Sequence, residues 1–169
     1  MKRTMACSQC STAAGLRGRV LWEDGLWLVV HKRPPCGVVG HLLLLSKRHF
    51  QGPAHFTDEE ASTVGLTLRR CERVLQEVTR CERVYTAALG SSAAPHFHAH
   101  MMPVYHPGEG IGVPAEVISG TPFDVFLQEK LAKEGKLEAN PSLCDQVSES
   151  FALAMNSTDG TTELTRRSQ

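Results

Sequence analysis

Three histidines recur at every second position in Pro95-His96-Phe97-His98-Ala99-His100-Met101-Met102-Pro103. In an extended strand successive side chains alternate faces and rise about 3.3 Å per residue, so 96, 98 and 100 stand in one row about 6–7 Å apart. Phe97, Ala99 and Met101 then face the core. On a helix the same three residues spread through about 200° and make no common site. Imidazole suits three tasks: holding a metal, moving a proton near neutral pH, and attacking phosphorus. A polar surface face is the bland alternative, but such a strand would sooner carry Thr than three imidazoles. A pure metal site is another, since His-X-His on a strand is a normal zinc arrangement, although a catalytic zinc needs an open position and a base nearby.

Two further groups bear chemistry. Cys7-Ser8-Gln9-Cys10 is a tight cysteine pair, which in a reducing compartment binds metal or does redox chemistry more often than it closes a structural disulfide. Cys71 and Cys81 read as small buried apolar residues. Gly40-His41-Leu42-Leu43-Leu44-Leu45-Ser46-Lys47-Arg48-His49 places a histidine on either side of an apolar run.

The elements that must position these residues are legible from their patterns. Arg19 to Trp22 and Leu26 to His31 are apolar runs around Glu23-Asp24-Gly25, a hairpin signal. Gly40 to Ser46 is a third strand candidate. Thr57-Asp58-Glu59-Glu60 reads as a capping box, and behind it Val64, Leu68, Cys71, Leu75 and Val78 form one stripe on a helix of about six turns. Val84 to Leu89 reads as a strand, Gly90 to Pro95 as a small-residue loop, and His96 to Val104 as extended. Residues 107–114 form a loop, and Phe123 to Lys133 a short helix. The order β-β-β-α-β-β predicts an α+β domain, a mainly antiparallel five-stranded sheet with one long helix on a face. From Asn140 on, polar residues dominate, and the expectation there is a mobile or loosely docked tail, 140–169, outside a domain of 1–139.

Composition excludes several classes. The chain has 169 residues, 18 Lys+Arg against 18 Asp+Glu, 41% hydrophobic and 21% charged residues. That is one domain, and neither a disordered chain nor a polycation built to coat a nucleic acid polymer. No apolar run long enough for a membrane or a signal peptide follows Met1-Lys2-Arg3-Thr4, and a cytoplasmic protein with no membrane contact is expected. Charge is uneven, with eight Lys/Arg against two acids in residues 1–50 and five against ten in 101–169. Lys32, Arg33, Lys47 and Arg48 flank the strand carrying His41, a local positive charge suited to a polyphosphate.

His96-Phe97-His98-Ala99-His100-Met101-Met102 resembles the histidine-triad (HIT) signature, His-φ-His-φ-His-φ-φ with φ apolar. Residues 40–49 resemble the family's Gly-His-φ-φ-φ-φ-Pro-Lys-Arg-His strand, with Ser46 in place of the proline. The hairpin, the acid-capped helix and Cys7-X-X-Cys10 follow the family's order over roughly residues 5 to 105. The resemblance implies a nucleotide hydrolase. His98 would attack the α-phosphorus to give a covalent nucleotidyl-histidine, His100 would protonate the leaving group, and water would release a nucleoside monophosphate. It implies that His41 and His96 line the phosphate pocket, and that Ser91 and Ser92 offer donors to phosphate oxygens. Many members hold the ribose with Asp or Asn at the end of the second strand. Here that stretch reads Val30-His31-Lys32-Arg33, which leaves His31 as a candidate substrate contact. The resemblance also implies a structural zinc held by Cys7, Cys10, His49 and His96, and a homodimer. Two other readings remain: a zinc-stabilised nucleotide-binding or interaction module with little turnover, and a nucleotidyltransferase, whose branch carries His-Pro-His where this chain has His96-Phe97-His98.

Overall fold

Asp24 builds the first turn. Its Oδ1 accepts from the backbone N–H groups of Leu26 and Trp27 at 2.8 and 2.7 Å, the local side-chain bond that favours Asp in turns. The computed structural model describes residues 7, 19–32, 37–88, 96–105, 130–136 and 139–157. The turn joins β1 (Val20–Glu23) to β2 (Trp27–His31), with a register irregularity between Val20 and Trp22. β3 (Leu42–Ser46) pairs antiparallel with β2, Trp27 opposite Ser46 and His31 opposite Leu42.

A short 3-10 turn, Pro53–His55, leads to α1 (Asp58–Thr79). The expected capping box is present: Glu60 N–H donates to Thr57 Oγ1 at 3.2 Å, and Thr57 N–H donates to Glu60 Oε2 at 2.8 Å. Arg80, in the left-handed region at φ 58°, ends the helix. β4 (Arg83–Ala87) and β5 (His98–Val104) complete a five-stranded sheet in the order β1-β2-β3-β5-β4, every pair antiparallel. The α+β architecture is the one expected.

Alternation sorts the sheet into two faces. Trp27, Val29, Leu42, Leu44, Ala99 and Met101 join Cys71 and Leu75 of α1 in the main core, with Val64, Leu68 and Val78 at its margin. Leu28, Val30 and Leu45 cluster on the opposite face.

The C-terminal expectation needs correcting. Within the stretch read as a mobile or loosely docked tail, Pro141–Asn156 forms a second helix, α2, capped by Asn140 Oδ1 on Ser142 N–H at 3.0 Å. Val147, Phe151 and Met155, spaced by four, are buried in the main core. Arg70 Nη2 donates to the Met155 carbonyl at 2.6 Å, and Asn156 Nδ2 to the Leu21 carbonyl at 3.2 Å. Composition hid this helix because three apolar residues suffice for the stripe while Ser, Asp, Gln and Glu fill the outer positions. Of the helix expected over 123–133, residues 130–133 are helical and the rest lie outside the described residues. No helix among the described residues is long and apolar enough to cross a membrane.

Candidate active site

β3 and β5 lie side by side at the centre of the sheet, with Leu43 opposite His100 and Leu45 opposite His98. His98 and His100 therefore share a face with Leu43 and Leu45, while Ala99 and Met101 turn into the core, as the alternation requires. The two imidazole centroids are 5.2 Å apart.

His98 is 8% exposed, and its Nδ1 lies 2.8 Å from the His96 carbonyl oxygen. A carbonyl only accepts, so the proton sits on Nδ1 and the lone pair on Nε2. Among the described residues no hydrogen bond engages that Nε2.

His41 precedes β3 and reaches the same face, its Nε2 2.9 Å from His100 Nδ1. Its backbone is tightly held: His41 N–H donates to the Val38 carbonyl at 3.3 Å, and Lys32 N–H donates to the His41 carbonyl at 2.9 Å. Gly40 before it has φ +78°, and a Cβ there would stand 3.2 Å from Pro103 Cγ and 3.3 Å from the Leu75 and Thr79 side chains. Glycine is thus required by both conformation and space. Tyr105 adds a further tie, its hydroxyl donating to the Val39 carbonyl at 2.8 Å.

His96 faces elsewhere. Its Nε2 lies 2.7 Å from the Ser46 carbonyl and 3.2 Å from Ser46 Oγ, and its Nδ1 lies 3.7 Å from Cys7 Sγ. Both ring nitrogens address protein groups, and the His96 carbonyl accepts from His98 Nδ1. The His49 ring stands edge-on to it at 5.2 Å. Burial lowers the His96 pKa, with His49 and His98 acting in the same direction and the Ser46 carbonyl opposing. A neutral imidazole is what a metal ligand requires.

Ligand atoms of Cys7, His49 and His96 all lie within 4.8 Å of one another. In tetrahedral zinc sites a sulfur and a nitrogen ligand stand about 3.6 Å apart, close to the Cys7 Sγ to His96 Nδ1 separation of 3.7 Å. The donor set fits a metal ion. The fourth candidate, Cys10, lies outside the described residues, as do Ser91 and Ser92.

His31 is not brought into the row. It pairs with Leu42, whose side chain is in the main core, so alternation turns it to the helix face of the sheet. Its Nδ1 donates to the Lys32 carbonyl at 2.8 Å, and its Nε2 is buried with no hydrogen-bond partner among the described residues. Burial lowers its pKa first, opposed by the Lys32 carbonyl; His41 lowers it further, and Asp145 raises it.

The local positive charge is also largely spoken for. Lys47 Nζ pairs with Glu23 at 2.8 Å. Arg48 grips Glu60 with Nε and Nη2 at 3.0 and 2.6 Å, gives Nη2 to the His55 carbonyl at 2.6 Å, and lies over the Phe50 ring. Arg33 is outside the described residues. Sequence reasoning missed this anchor, which ties the segment bearing His49 to the start of α1; a capping-box Glu beside a basic pair is its only trace in the sequence. Ser46 was visible only as a departure from the related motif.

No family model matches the chain, and no curated protein matches it significantly. Solved structures do. A hypothetical histidine triad nucleotide-binding protein of Sulfolobus tokodaii superposes with a TM-score of 0.62 at 16% identity, over 88% of this chain and 91% of that one. A member of the HIT family from Bacillus subtilis gives 0.54 at 23% identity, over 80% and 99%. A zinc-bound histidine triad family protein of Mycobacterium smegmatis gives 0.51 at 18% identity, over 86% and 98%. Together with the strand order and the histidine row on β5, these likenesses give the chain the histidine-triad fold.

Proposed function

We propose that this chain is a nucleotide hydrolase that cleaves a phosphoanhydride or phosphoramidate through a covalent nucleotidyl-histidine on His98. The observation that carries the reading is the 2.8 Å hydrogen bond from His98 Nδ1 to the carbonyl of residue 96. It fixes the tautomer and leaves Nε2 nucleophilic without any need to remove a proton first. Nε2 forms a bond to the α-phosphorus while the bond from phosphorus to the leaving group breaks, and His100 gives that group its proton. Water then displaces the histidine, passing a proton to His100, and a nucleoside monophosphate leaves. His41 supports His100 through the contact at 2.9 Å. Backbone and hydroxyl donors of Ser91 and Ser92 would take the charge on the phosphate oxygens.

The metal belongs to the scaffold in this reading. Cys7, Cys10, His49 and His96 would complete a closed Cys₂His₂ zinc site of structural type, as the donor geometry of three of them allows and as the zinc-bound neighbour makes plausible for the fold. Zinc there would supply no chemistry to the substrate; it would hold the N-terminal segment and the His96 ring.

One observation favours a second reading, a nucleotide-binding module with little turnover. The described end of β2 offers His31 and Lys32 and no carboxylate for a ribose. A product screen over dinucleoside polyphosphates and nucleoside phosphoramidates, wild type beside His98→Ala, separates the two. The hydrolase releases mononucleotide and the variant, still folded, does not; calorimetric binding with no product over hours selects the module.

A further inference from the structure

Ser46 closes β3 with its side chain buried, at 1% exposure, and every polar atom it owns is engaged. Its Oγ donates to the Arg48 carbonyl at 2.8 Å; the Phe97 carbonyl, at 3.5 Å, is the weaker alternative for the same proton. With its proton given to a carbonyl, the hydroxyl can only accept from His96 Nε2 at 3.2 Å, alongside the Ser46 carbonyl at 2.7 Å. Its backbone N–H donates to the Phe97 carbonyl at 3.3 Å. Two acceptors on one residue thus converge on a single imidazole nitrogen. The proton of His96 must lie on Nε2, and its lone pair on Nδ1, 3.7 Å from Cys7 Sγ. The carbonyl of the same His96 receives the Nδ1 proton of His98 at 2.8 Å.

We propose that Ser46 is a positioning residue that locks His96 as the Nε2–H tautomer, so that the ring presents Nδ1 to the Cys7–His49 corner while its carbonyl holds His98. A proline at this position would keep the carbonyl acceptor but delete the hydroxyl and the N–H bonded to Phe97. This chain has placed a second acceptor where the related motif has none. Outer groups that orient a histidine ligand are worth about 10–100-fold in metal affinity. Only the link to turnover rests on the hydrolase reading; the link to metal affinity and tautomer does not.

The test uses the full chain with Ser46→Ala, which removes only the hydroxyl, and Ser46→Thr, which restores it. Zinc affinity is read by chelator competition with zinc ion alone, and the tautomers of His96 and His98 from imidazole nitrogen shifts in the chelator-treated protein. Ser46→Ala is expected to bind zinc about ten-fold more weakly, while His96 keeps the Nε2–H tautomer that the Ser46 carbonyl still enforces. Its kcat should fall at nearly unchanged KM, and Ser46→Thr should recover both losses. Zinc affinity of Ser46→Ala within two-fold of wild type, a wild-type His96 that carries its proton on Nδ1, or a wild-type chain that binds no zinc would each overturn the proposal. A wild type that turns over no nucleotide while zinc affinity shifts and the tautomer is as described supports the role of Ser46 and removes the hydrolase reading instead.

Discussion

His41 Nε2 and His100 Nδ1 face each other at 2.9 Å, one proton between two basic nitrogens. If the proton belongs to His41, His100 carries its other proton on Nε2 and can act as an acid. If it belongs to His100, that outer nitrogen is a base. The base form follows from the acid form when His100 gives up its Nε2 proton and takes the shared proton on Nδ1, so the two roles that the proposed half-reactions require differ by both movements. His41→Ala should lower kcat by about 10²–10³-fold with a poor leaving group and far less with one that departs unaided. Equal losses with both would show that His41 only shapes the pocket.

The Arg48–Glu60 pair ties the end of β3 to the start of α1, and Glu60 is 3% exposed at its side chain against 48% for Arg48. The Arg48 hydrogen bonds hold the Glu60 carboxyl below the ordinary carboxylate value, with Thr57 helping against desolvation. As pH falls the unfolded chain takes up this proton first, so the stabilisation is whole above the ordinary carboxylate pKa and is lost as pH drops through the lower folded value. Glu60→Gln should cost roughly 2 kcal/mol at pH 7, the scale for hydrogen bonds to charged groups, and the gap from wild type should narrow below pH 4. A gap that stays constant in thermal melts across that range would contradict the account.

Zinc should raise thermal stability by tying Cys7 to the sheet through His49 and His96. At about 100 times Kd a ligand stabilises the folded state by about 2.7 kcal/mol, which is about 5–10 °C in Tm for a chain of this size. Chelation should remove the increment from wild type, and Cys7→Ser should be indifferent to zinc. A wild-type Tm that ignores both zinc and chelator would end the claim.

Phe151 is wholly buried at the centre of the α2 stripe. Phe151→Ala should cost about 3–5 kcal/mol, the range for such truncations, and removing residues 141–156 should uncover Trp22 and the β1 side of the core. Denaturant curves of the two variants that overlay wild type would return this segment to the status of a tail.

Much of this geometry could be read from local pattern. The row of His98 and His100, the hairpin at Asp24, the Thr57 box and the stripe through Cys71 and Leu75 depend on periods of two and 3.6 or on neighbours within a few residues. What could not be read depends on partners far along the chain. Beyond its place in the capping box nothing tells that Glu60 will consume the charge of Arg48, and Arg70 finds the Met155 carbonyl across 85 positions. His31 stands at the end of the second strand, where the related proteins hold the ribose; the face it takes is decided by the register with Leu42, which no single strand reveals. The pairing of His96 with Ser46 is likewise a product of two strands meeting.

The central pairing of β3 with β5 joins segments far apart in sequence, and the His41–His100 contact spans 59 positions. α1 has its own cap and stripe and can begin to form from its own residues, whereas this pairing must first repay the entropy of closing a long loop. Until that closure His41 and His100 do not meet, nor do Ser46 and His96. A partly folded chain carries the motif without its geometry, and the covalent nucleotide capture proposed for His98 would become possible only once the middle of the sheet has closed.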